Sequence, residues 1–156
     1  MNSLLLGDPS PSLRWRAAVE LDGAPESDGE VTAWRADIDN SDAVRALVAR
    51  LGAVGHIPQA AGYVLCQLAY LGYRGPELAA AVDRIFEHQQ PDGCWPTWPD
   101  EDKPAPKRRR GTPPAALPRE ESYRVVTMQT LLPLRGVAAA GFATDPRAER
   151  AYEWLL

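Results

Sequence analysis

The chain has 156 residues, 45% of them hydrophobic and 24% charged, with a formal net charge of −4. One domain of that length buries a real core, and the acidic balance argues against nucleic acid as the main partner. Its two cysteines, Cys66 and Cys94, suggest no disulfide framework, and no apolar run approaches the roughly 20 residues of a membrane span, so a reduced, cytoplasmic setting is expected.

The chain opens on MNSLLLGDPSPSLRWR, where a short apolar run has no basic region before it. That reads as a native N-terminus and not a signal peptide. The fifteen prolines fall mostly between apolar periodic segments, which suits many short helices joined by stiff turns. Leu13, Ala17 and Leu21 begin the helical pattern. Val31, Trp34 and Ile38 share a face in a short second segment. Val44, Leu47, Val48 and Leu51 follow at i, i+3, i+4, i+7, with Ser41 as N-cap and Gly52 as the stop. Ala61, Val64, Leu65 and Leu68 make the next face, which ends at Gly72. Pro76 suits a first helical position ahead of Leu78, Ala81, Val82, Ile85 and Phe86. A further helix covers about Glu120 to Ala140, with Pro133 as a kink, and the last begins at Asp145-Pro146. Strand alternation is nowhere sustained, so the expected class is all-α. Between Pro96 and Arg119 the composition changes to proline and mixed charge, a loop or insertion within a single domain. The basic run Lys107 to Arg110 is either an anionic-surface contact or a solvated strand of charge facing Asp100 to Asp102.

The helices come in pairs that resemble one another. Tyr63 aligns with Tyr123, Gly72-Tyr73 with Gly141-Phe142, Pro76 with Pro146, and Ile85-Phe86 with Leu155-Leu156. A repeating helix pair cannot bury its inner face alone, so a solenoid or closed ring of hairpins is expected. The second helix of the first pair ends in FEHQQPDGCW, Phe86 to Trp95. Gln89 and Gln90 can bond backbone groups freed at the helix end, Asp92-Gly93 supplies a turn, and Trp95 folds back as an apolar plug. This segment resembles the QW repeat of squalene-hopene cyclases and related terpenoid cyclases. Leu47 to Gly55 looks like a decayed copy without Gln or Trp, and a last copy would start at Trp154. The resemblance implies antiparallel helical hairpins forming a partial α/α toroid, shared by terpenoid cyclases and protein prenyltransferases. It also implies an isoprenoid or other elongated apolar ligand in the concave face. The chain supplies about half the helix pairs of such a toroid, so a missing half or self-association is expected.

The resemblance brings two site readings. Asp37-Ile38-Asp39-Asn40 is similar to the Asp-x-Asp-Asp motif of class II cyclases, which would make Asp39 a proton donor and Asp37 its partner. Asn40 replaces the last acid, and helix capping explains the same residues. Tyr63 and Tyr123 would face the ligand cavity, with ring faces able to stabilise cations, and the other aromatics read as core. Prenyltransferase zinc would need Asp, Cys and His together. His56, His88, Cys66 and Cys94 show no close pair at ligand spacing, so neither metal nor cofactor is expected. A non-catalytic helical-repeat scaffold that binds a protein is the other function class.

Overall fold

The computed structural model describes residues 3–95 and 127–156, and every element among them is helical. The all-α expectation holds. The expected 96–119 insertion, the beginning of the helix from Glu120, Trp98 and Tyr123 lie outside the described residues.

Helix α1 is one turn, Ser3–Leu6. Helix α2, Pro11–Arg16, starts where Ser10 accepts from the Leu13 amide, and it runs on into a wider π-type turn, Ala17–Leu21. That turn corrects the first apolar face. Bonding from Asp22 N–H to the Ala17 carbonyl breaks the 3.6-residue phase, and Leu21 is exposed; ahead of the turn Trp15 is buried with Ala17 and Ala18, and Leu13 is exposed. Helix α3, Gly29–Asp39, is capped by Asp28 and buries Val31 and Ile38. Helices α2 and α3 clamp each other through reciprocal stacks. Arg14 of α2 lies 5.6 Å from the Trp34 ring, and Arg35 of α3 lies 4.6 Å from the Trp15 ring.

Helix α4 spans Asp42–Val54 and is N-capped by Ser41, whose hydroxyl accepts from Val44. Gly52 does not stop it. A glycine loses about 1 kcal/mol against alanine inside a helix, which the apolar face through Val44 and Leu51 overrides. The stretch Leu47 to Gly55 is therefore helical almost throughout and forms no turn of the kind found after Glu87.

Helix α5, Pro58–Leu71, and helix α6, Glu77–Glu87, form one hairpin. Pro76 stands one residue before α6 with helical φ and ψ. Helix α7, Thr127–Val137, continues as a wider turn, Ala138–Phe142, and leads to α8, Pro146–Leu155, capped by Asp145. Gly72 (φ 85°) and Gly141 (φ 96°) both adopt the left-handed conformation between the helices of their pair. The aligned glycines thus perform one job, since a side chain is strained there.

The most extensive helix contact joins α5 to α7. The two run in the same sense: Gln59 meets Gln129, and Gly62 meets Leu132 and Pro133 and then Gly136. The first helices of the two pairs thus lie side by side, while α6 and α8 are linked by the ion pair of Arg147 with Asp83 at 2.9 Å. The core between these helices contains Val64, Leu65, Leu68, Val82, Ile85, Trp95 and Val137.

Candidate functional site

The FEHQQPDGCW segment is a structural clamp. Helix α6 ends at Glu87, and the chain turns through Pro91 to Gly93. The Gln89 side-chain amide donates to two carbonyls, Gly93 O at 3.0 Å and Arg147 O at 2.9 Å, so one side chain serves both the turn and the first turn of α8. Gln90 acts through its backbone, donating to Cys94 O and accepting from Gly93 N–H, both at 2.9 Å. Asp92 accepts from the Cys94 amide at 3.1 Å. Gly93 has φ 100°, and a Cβ there would stand 2.4 Å from the Arg150 carbonyl oxygen, so the position excludes side chains twice over. Trp95 is fully buried. Its indole N–H donates to Ile85 O at 2.8 Å, its backbone N–H donates to the buried Thr130 hydroxyl at 3.2 Å, and its ring meets Phe86 with centroids 5.7 Å apart. Both N–H groups of Trp95 thus have a protein partner in place of water. Burial, with Asp92 beside it, pushes the Cys94 thiol up to about 12, which leaves it protonated and without nucleophilic character.

A groove lies elsewhere, between α4, α5 and α7. Leu47, Tyr63, Gln67, Tyr70 and Leu71 form its walls, Cys66 and Arg135 complete it, and its volume is about 350 Å³. Tyr63, Gln67 and Tyr70 share one face of α5 because they stand at i, i+4 and i+7. The two tyrosines remain 55% and 64% exposed, an unusual state for rings that flank an apolar groove. The Arg16 guanidinium lies 4.7 Å from the Tyr70 ring and holds Glu20 in a two-pronged pair at 2.9 Å, which fixes that tyrosine at the rim. The Gln67 amide oxygen is buried without a hydrogen-bond partner. Burial pushes the Cys66 thiol up, and the Arg135 charge partly offsets that push.

Asp37 and Asp39 stand at the other end of α3 from its cap. Both are exposed. They occupy the last turn of that helix, with Asn40 as its C-cap, so neither N-terminal capping nor the buried carboxyl that an acid catalyst requires describes them. Helix α4 is capped by Ser41 alone. Asp39 does lie near enough to Tyr73 to add its charge to the effect of burial and of Glu77 in raising that phenol. The groove and the two aspartates are separate features, with no lining residue in common. Among the described residues no group of three or more His, Cys, Asp or Glu side chains converges as a metal site.

The local sequence marks Tyr63 as the notable residue of α5, and its i+4 and i+7 neighbours Gln67 and Tyr70 can be read from the same helical spacing. Arg135 carries no such signal. It enters the groove only because α7 lies beside α5. Comparison of the chain with protein-family models, with curated proteins and with solved structures finds no match in any of the three.

Proposed function

We propose that this chain is a helical-repeat module of the α/α-toroid kind that holds an elongated apolar ligand, of the isoprenoid class, against the groove between α4, α5 and α7. The observation that carries this reading is the pair of exposed rings, Tyr63 and Tyr70, flanking a groove whose other walls include Leu47 and Leu71. A volume near 350 Å³ falls within the range of small-molecule sites, which are apolar clefts with a few polar groups. The side-by-side placement of α5 and α7, the first helices of the two pairs, also supports the reading, since a toroid of hairpins stacks equivalent helices in that manner. Exposed Asp37 and Asp39 give no support to proton donation, so binding without acid catalysis is the activity proposed.

Thermal unfolding with and without geranylgeraniol tests this. At ligand about a hundredfold above its Kd, binding adds about 2.7 kcal/mol of stability, and Tm rises accordingly. Tyr63→Ala removes the rise without lowering the unliganded Tm, because Tyr63 is largely exposed. An unchanged Tm at saturating alcohol rejects the reading.

A second reading rests on Met128 and Leu131, which are 57% and 39% exposed along α7. They extend the apolar surface beyond the groove, as a scaffold for a protein partner would require. The scaffold predicts no response to the isoprenoid alcohol.

A further inference from the structure

This inference rests on the groove reading above and concerns the polar end of the ligand. Among the described residues Arg135 is the only charged group lining the groove. None of the described ion pairs involves it. Its charge acts on the Cys66 thiol, and Arg135, Cys66 and Gln67 all line the groove. The Gln67 Oε1 atom is buried with no donor facing it, although a buried acceptor is destabilising until one is supplied.

We infer that the groove takes an anionic amphiphile: an apolar tail against Tyr63, Tyr70 and Leu47, a carboxylate on the Arg135 guanidinium, and an N–H group that donates to Gln67 Oε1 once the Gln67 side chain turns from its buried position into the groove. A long-chain acyl amide of an amino acid carries these groups in sequence, with tail, N–H and carboxylate in adjacent positions. The ring faces and leucines accept any apolar chain, so they cannot choose among head groups. Charge complementarity at Arg135 chooses the anion over a neutral alcohol, and a guanidinium holds a carboxylate through charge-assisted hydrogen bonds. The orphaned acceptor at Gln67 chooses a head with a donor over one without.

Titration calorimetry with three probes, each below its micelle concentration, separates the parts. N-dodecanoylglycine has the carboxylate and the N–H. Its N-methyl analogue has the carboxylate alone, and dodecanol has no charge. The expected order is N-dodecanoylglycine tighter than dodecanol by about tenfold, and tighter than the N-methyl analogue by about threefold. Arg135→Gln removes the preference for the acid over dodecanol. Gln67→Leu removes the preference for the N–H. Equal binding of all three probes overturns the polar-end assignment while the apolar groove stands. Binding of none of them overturns both. A preference for the acid that survives Arg135→Gln places the anion on another residue and overturns this assignment.

Discussion

Gly62 and Gly136 touch through their backbones where α5 meets α7. A Cβ placed on Gly136 would stand 2.4 Å from the Gly62 Cα, and one placed on Gly62 would stand 2.6 Å from the Leu132 carbonyl oxygen. Those distances leave no room for a methyl group, and the obstructing atoms are backbone, so no rotamer change relieves them. Gly62→Ala and Gly136→Ala should each cost about 1–3 kcal/mol, read as a lower urea midpoint at unchanged slope. Gly52→Ala is the contrast. Nothing lies within 4 Å of a Cβ there, and helix propensity alone predicts a gain of about 0.5–1 kcal/mol.

Pro133 lies inside α7 and cannot donate to the Gln129 carbonyl four residues earlier. Gln59 of α5 fills the gap, its side-chain amide donating to Gln129 O at 3.2 Å. The helix interior thus keeps its proline because a neighbouring helix supplies the missing donor. Gln59→Ala should cost about 1 kcal/mol in the native background. In a Pro133→Ala background the backbone N–H returns, and the same substitution should cost close to nothing. A double-mutant cycle in chemical denaturation measures the coupling; additive effects would remove this account.

The clamp after α6 should be costly to dismantle. Trp95→Ala removes a fully buried indole and is expected to cost about 3–5 kcal/mol. Trp95→Phe keeps most of the volume but leaves Ile85 O without the indole donor, for about 1–2 kcal/mol. Gln89→Leu leaves two carbonyls unbonded by the side chain and should loosen α8 first. Amide hydrogen exchange resolves this, with the protection of α8 falling before that of α5.

Acid should weaken the start of α8. Asp145 caps α8 by accepting from the Arg147 amide at 2.8 Å, and the Arg147 side chain bonds both of its carboxylate oxygens. That guanidinium holds Asp145 below the usual carboxylate range. A group depressed on folding contributes stability above its unfolded pKa, near 4, and loses it as pH falls through the lower folded value. The described loss therefore begins near about pH 4 and deepens below it. Asp145→Asn keeps a capping oxygen and should flatten that part of the stability profile, at a cost of no more than about 1 kcal/mol at neutral pH. Thermal unfolding from pH 7 to pH 3 compares the two proteins. An acid limb of unchanged steepness would show that other carboxylates carry it.

Much of the fold could be read along the chain. Ser41 and Asp145 announce the starts of α4 and α8 because a cap is a contact between residues three or fewer apart. Gly72 announces the end of α5 for the same reason, its left-handed φ being a local need. The failures are as specific. Leu13 and Leu21 carry the right spacing for a buried face, but Trp15 takes the core position in α2, filling the space beside Gly72, and the π-type turn after it shifts the phase at Leu21. Gly52 looks like a stop and is a helix interior. For the candidate site, Tyr63 was legible as an aromatic at a repeated position. Exposure of Asp37 and Asp39 was legible only from the wider face of Val31, Trp34 and Ile38, on which neither stands, and not from the four-residue motif alone.

The sequence by itself determines that this chain is all-α, where most of its helices begin and end, and that two helix pairs share one plan. Each of those properties depends on periodicity, caps and turn residues a few positions apart. The tertiary structure alone decided that Gly62 and Gly136 meet, that Gln59 serves a carbonyl freed by Pro133, and that Arg135 and Gln67 line one groove. Those pairings join residues about seventy positions apart, and they exist only once α5 and α7 lie side by side. Burial fixes that arrangement, and burial is a property of the packed whole.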